Sequence, residues 1–242
     1  MIDPPRALDR LARAHSLLVG LDFDGVLAEI VDRPELAAPV PGVLEVLADL
    51  VALPRVRVAA VSGRRRDDLA ERLGWPAHVL FVGEHGADAG GHELARPAGY
   101  EDVLAGLQSV AGRFRDAWVE EKKTGLTIHG RALTPTESAR MSDEAERVLE
   151  PLAPGRFERG NRIVDVRLTG STKGAAVQAL REVGETVLFV GDDTTDETVF
   201  AVLAGHDVGV KVGAGQTAAV CRLPDPFAVV GFLQDLVRER SL

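Results

Sequence analysis

The chain has 242 residues, 45% of them hydrophobic and 27% charged, enough to bury one large core or two modest ones and too ordinary in composition for disorder or collagen-like repeats. Its formal charge of -9, from 37 acidic and 28 basic residues, gives no overall pull toward nucleic acid or anionic membranes, so an anionic substrate must be attracted locally. One cysteine, Cys221, and six scattered histidines exclude an intrachain disulfide framework and argue against a zinc enzyme.

The N-terminal segment reads as a helix and then a strand, "SLLVGLDF", with acids on both sides of the apolar run, unlike a signal peptide. No stretch has the length needed to span a bilayer, so a cytoplasmic, soluble and monomeric protein is expected. A helix "PGVLEVLADLVAL", a strand "VRVAAVSG", a helix "RRDDLAERLG" and a strand "AHVLFVGEHGAD" follow. Strands this continuously apolar are covered on both faces, which is the pattern of a parallel sheet. The middle differs: a helix around "YEDVLAGLQSVAGRFRDA", a polar-alternating hairpin "WVEEKKTGLTIHGR", a helix "PTESARMSDEAERVLEPLA" and a strand "RIVDVRLTG". One polar face per strand predicts an open, one-sided sheet. The α/β pattern then returns in "KGAAVQALREVG", "ETVLFVGDD", "TDETVFAVLAG", "HDVGVKVG" and a closing helix "PDPFAVVGFLQDLVRERS". The expected fold is α/β: a doubly wound, Rossmann-like parallel-sheet core of residues 1–96 and 169–242, with an α/β module of residues 97–168 inserted between hinges at "ARPAGY" and "LTGS".

Ligands of open parallel sheets bind beyond the carboxyl ends of the strands. Asp22 and Asp24 end the first strand, Ser62-Gly63-Arg64 a second, and Gly191-Asp192-Asp193 a late one. Extended residues i and i+2 share a face, so Asp22 and Asp24 are expected to point together while Phe23 turns to the core. Such a pair is costly unless a cation neutralises it or one acid keeps its proton. Blander readings stand beside this one. "DFDG" also suits a plain turn, Ser62 suits a helix N-cap, and Lys173 at a helix start suits a solvated lysine. A calcium loop fails, because Gly25 stands at position four where an EF-hand needs glycine at six. Thr194 and Glu197 fit a capping box for the helix after "GDD", which leaves Asp192 and Asp193 unexplained. Taken in order, DxD, SGR, KG and GDD supply an acidic nucleophile, a metal site and phosphate-binding donors.

In this order the motifs resemble those of the haloacid dehalogenase superfamily of phosphatases: "LDFDGVL", "VSGR", Lys173 and "VGDDTTDETVF" are similar to motifs one to four. Val26 departs from the threonine that many members carry. The hairpin "VEEKKTGLTIHGR", a solvated face on its own reading, resembles the cap signature of trehalose-6-phosphate phosphatases through Glu120, Lys122, His129 and Arg131. "GEHG", "GNRIVDVR" and "TDE" are similar to that family too.

The resemblance implies a Mg2+-dependent phosphatase with Asp22 as nucleophile and Asp24 as proton carrier. Mg2+ would be held by Asp22, Asp192 and the backbone carbonyl of Asp24, with Asp193 orienting water or Lys173. Ser62, Gly63 and Lys173 would bind phosphate, while Arg64, Glu120, Lys122, His129 and Arg131 would meet the sugar. A small-molecule sugar phosphate is the only partner expected. Alternatives are a phosphatase for another glycosyl phosphate such as sucrose phosphate or glucosyl-phosphoglycerate, a sugar phosphomutase, or a phospho-sugar sensor on the same fold.

Overall fold

The computed structural model describes residues 1–89 and 96–241; Ala95, the first residue of the "ARPAGY" segment, lies outside them. The chain divides into two compact units, one of Met1–Gly90 with Ser171–Leu242 and one of Gly91–Gly170. In chain order the first unit begins with α1 (Pro4–Ala12), β1 (Leu17–Leu21), α2 (Val43–Ala52), β2 (Val56–Val61), α3 (Arg66–Arg72) and β3 (Val79–Val82). The second unit holds α4 (Tyr100–Ala111), β4 (Trp118–Glu121), β5 (Gly125–His129), α5 (Pro135–Leu152), β6 (Phe157–Gly160) and β7 (Ile163–Arg167). The first unit resumes with α6 (Lys173–Leu180), β8 (Thr186–Gly191), α7 (Glu197–Phe200), β9 (Val208–Val212), β10 (Cys221–Leu223) and α8 (Pro226–Arg240).

The large sheet has six parallel strands in the order β10-β9-β8-β1-β2-β3. Every residue of β1 and of β9 is buried, as both-faced covering requires. Alternation still sorts the side chains. Leu17, Val19 and Leu21 pack with residues of α1, α2, α3 and α8, whereas Leu18 joins residues of α6 and α7 on the opposite face. β1 sits between β2 and β8, so the loops after these three strands open at one end of the sheet.

The small sheet is antiparallel, in the order β4-β5-β7-β6. Leu126, Ile128, Val164 and Val166 face a core made with α4 and α5, and the alternate positions Thr127, His129 and Asp165 face away. α5 starts on a full capping box in which Thr134 accepts from the Glu137 N–H and Glu137 reaches back to the Thr134 N–H.

The structure shortens one expected element and adds two strands. "TDETVFAVLAG" forms only the four-residue α7, and its expected Thr194–Glu197 box is not its cap. Asp196 occupies the cap position with helical dihedrals and no side-chain cap bond, and the Glu197 carboxylate instead accepts from the Ala218 N–H. The short strands β6 and β10 were not expected at all.

Candidate active site

The sequence leaves β1 at Leu21 and turns at once: the Phe23 carbonyl accepts from the N–H groups of Val26, Leu27 and Ala28. Phe23 is fully buried, as expected. Phe23 stays on the face of Leu17, Val19 and Leu21, so alternation runs on to Phe23 before the chain turns. The two carboxylates have different partners.

Asp22 is buried and its backbone is fixed to β8 by a bond to the Val190 carbonyl. One carboxylate oxygen accepts from the Phe23 N–H at 2.6 Å, the other from the Lys173 ammonium at 2.5 Å. Lys173 is the first residue of α6, which Thr172 caps by accepting from the Ala175 N–H. The next residue has to be small, since a Cβ on Gly174 would stand 2.2 Å from the Thr198 carbonyl. Lys173 is therefore no solvated lysine; it is 2% exposed and donates at 2.8 Å to Asp196 as well.

Asp196 is the residue that motif reading left without a role. Fully buried, it takes Lys173 on one oxygen and the N–H groups of Asp192 and Asp193 on the other. It ties the late loop to the lysine. Asp196 makes the hydrogen bond to Lys173, while the Asp193 carboxylate accepts from the Thr195 N–H and hydroxyl at 2.6 and 2.7 Å; the Lys173 charge and these bonds outweigh burial and hold it below its ordinary range.

Asp22, Asp192 and Asp196 each present a carboxylate oxygen within 4.8 Å of the others. Burial, helped by Asp196 and Asp192 and opposed by Lys173, pushes the Asp22 carboxyl well above its ordinary range. Lys173 moves upward too: the charges of Asp196 and Asp22 outweigh the burial that opposes its ionisation. Burial, then the charges of Asp193 and Asp196, raises Asp192 to about 7. A Cβ on Gly25, which has φ +75°, would lie 2.2 Å from an Asp192 oxygen, so the glycine clears the space that the carboxylate occupies. Three carboxylates with one lysine among them are short of positive charge, and oxygen donors of this kind suit a hard divalent cation.

Asp24 is held differently. Arg64 donates to both of its oxygens at 2.7 Å, and also to Asp68 at 3.1 Å and to the Pro34 carbonyl at 2.9 Å. The guanidinium also lies 5.1 Å from the Phe23 ring centre. These are the occupants of the Arg64 donors that were expected to meet sugar. Ser62 is 2% exposed and does not cap a helix, since α3 starts at Arg66 after an Arg65 cap position. Its hydroxyl accepts from the Arg64 N–H at 3.3 Å and its carbonyl from the His85 N–H at 3.0 Å. "GEHG" runs beside Gly63: a Cβ there would meet the His85 ring at 2.5 Å, and Glu84 and His85 both take positive φ, 50° and 54°. Two adjacent left-handed non-glycine residues are a local strain of the kind that gathers at working sites.

In the second unit, Trp118, Glu120, Thr127, His129 and Asp165 share the polar face of the small sheet. His129 bonds to Glu120 at 2.9 Å and stacks on Trp118 with ring centres 4.1 Å apart. Lys122 pairs with Asp165 at 2.8 Å, and Thr127 donates to the same oxygen. Burial pushes Glu120 up, but the His129 bond and the Lys122 charge outweigh it and leave the carboxyl below its ordinary range. Arg131 is half-buried just past β5, its carbonyl accepting from Arg162. Among the described residues no helix is long and apolar enough to cross a membrane.

The family model described as trehalose-phosphatase matches residues 20–222. A bifunctional trehalose-6-phosphate synthase/phosphatase of Thermoproteus tenax is 35% identical over 93% of this chain and 32% of its own length. A trehalose-phosphate phosphatase of Mycobacterium tuberculosis is 31% identical over 97% of this chain and 66% of its own length. The chain therefore spans about a third of the first relative and just under two thirds of the second. The solved C-terminal domain of the C. albicans trehalose-6-phosphate phosphatase superposes with a TM-score of 0.82 at 22% identity, covering 97% of each chain. That likeness concerns the fold alone. With the family model spanning most of its length, the chain belongs to the trehalose-phosphatase family.

Proposed function

We propose that this chain hydrolyses trehalose 6-phosphate to trehalose and inorganic phosphate, depends on Mg2+, and works through an aspartyl-phosphate. The observation that carries the reading is the Asp22–Lys173–Asp196 chain with Asp192 beside it, at the carboxyl end of a parallel sheet. Asp22, Asp192 and the Asp24 backbone carbonyl would hold Mg2+, which when bound offsets the repulsion between a carboxylate nucleophile and a phosphate dianion.

An Asp22 oxygen attacks phosphorus as the bond from phosphorus to the sugar oxygen breaks, which divides a difficult displacement into two steps. Lys173 lies against the attacking carboxylate at 2.5 Å and spreads phosphoryl charge. A sugar alkoxide is a poor leaving group, so its oxygen takes a proton from Asp24. Water then attacks the aspartyl-phosphate, and Asp24 recovers the proton from that water. Ser62 and Gly63 are assigned to the phosphoryl oxygens. Glu120, Lys122, His129 and Arg131 are assigned to the sugar hydroxyls, where carboxylate acceptors and cationic donors complement one another.

Phosphate release with Mg2+ across trehalose 6-phosphate, sucrose 6-phosphate, glucose 6-phosphate and glucosyl-phosphoglycerate tests the substrate, with Asp22→Asn as control. Trehalose 6-phosphate is expected to lead by orders of magnitude. Activity that survives Asp22→Asn would sink the nucleophile assignment.

A further inference from the structure

Lys211 is a buried cation to which the chemistry above gives no task. All of β9 is buried and Lys211 itself is 5% exposed. Val208, Val210 and Val212 face the larger apolar cluster, so alternation puts Lys211 on the opposite face of the sheet. Parallel pairing sets it beside Gly191, the residue before Asp192, and its ammonium donates to the Asp192 backbone carbonyl. Its charge also reaches the Asp192 carboxyl, where it opposes the upward push of burial and of the neighbouring acids. An ammonium is costly to keep out of water, and valine or leucine would fit an apolar strand more cheaply.

We propose that Lys211 is the positioning residue of Asp192. By holding the carbonyl from the sheet side, it keeps the carboxylate in the space cleared by Gly25 and so sets the affinity of the acidic cluster for a divalent cation. The inference rests on the Mg2+ reading given above. It makes a prediction of sign. Lys211 carries a like charge close to the cation site, so if charge were its whole effect, removing it would tighten Mg2+ binding. If position is what it supplies, removing it loosens binding despite the lost repulsion, and supporting contacts of this kind are typically worth about 10–100-fold in metal affinity.

Lys211→Met keeps an unbranched side chain one atom shorter and drops the charge and the donor, and Lys211→Arg keeps both. Titrating MgCl2 into chelator-treated protein and following the rise in Tm gives an apparent Kd without catalysis. The expected result is an apparent Kd raised about 10–100-fold in Lys211→Met and close to wild type in Lys211→Arg. An unchanged or lowered Kd in Lys211→Met overturns the assignment while leaving the Mg2+ reading intact. No Mg2+ response in the wild-type protein removes both together. Circular dichroism without Mg2+ checks that Lys211→Met is folded; if it is not, Lys211→Leu, which has no donor and suits the apolar strand, replaces it with the same expected loss.

Discussion

Arg64 holds both carboxylate oxygens of Asp24, its Nε and Nη2 each 2.7 Å from one of them. A carboxylate has about four acceptor sites. Arg64 takes one on each oxygen, so the leaving sugar oxygen has to be met on a side that the guanidinium leaves open.

Asp24→Asn cannot take part in proton transfer, so its penalty should follow the leaving group. Its kcat on trehalose 6-phosphate is expected to fall about 10²–10⁴-fold. An aryl phosphate, whose phenolate leaves unaided, should lose less in the first step, read as the burst of released phenol. Equal losses on both would remove the acid role.

Asp192 sets a pH dependence in the metal-free protein. Its carboxyl is raised to about 7 from the ordinary 3.8, so between these values the folded chain holds more protons than the unfolded one. The contribution of this group is therefore complete below about pH 4 and is lost as pH rises toward 7. In chelator, Tm of the wild type should decline over that window relative to Asp192→Asn. Mg2+ at pH 7 should restore it in the wild type alone.

Asp207 lies before β9, at the opposite end of the sheet from Asp192. Its fully buried carboxylate accepts from Arg181 twice and from the N–H groups of Val187 and Ala204. Asp207→Ala strands those donors and should cost about 3–5 kcal/mol in urea denaturation. The kcat of the folded fraction should not change.

Lys122→Ala tests the polar face of the small sheet. Losing a charged hydrogen bond to a sugar hydroxyl, worth about 1.5–3 kcal/mol, should raise KM for trehalose 6-phosphate tenfold or more. KM for a small aryl phosphate should stay put. A common loss on both, with lower Tm, would mean that the Lys122–Asp165 pair is structural only.

The sequence made the parallel sheet legible because strands covered on both faces read as unbroken apolar runs, and loops at their carboxyl ends carried the acids. It hid what depends on local turns. Asp196 was visible in "TDE", but its role needs the loop to fold back so that a side chain four residues on meets the Asp192 N–H. The pairing of Asp24 with Arg64 could not be read either, since the two residues stand 40 apart in the sequence. β6 and β10 have four and three residues, too few to show a period. Lys211 left one trace, a lone charge in "VGVKV".

The place of β1 between β2 and β8 has a kinetic consequence. Its first neighbour follows it closely in sequence, whereas the second arrives only after the whole inserted unit. Contacts of such high sequence separation form slowly, because loop-closure entropy is lost before they reward it. On the ribosome the second unit can become compact while β1 still presents an open edge to other chains. The bond between Asp22 and Val190 is then among the last made, so the appearance of activity should report completion of the sheet rather than collapse of the chain.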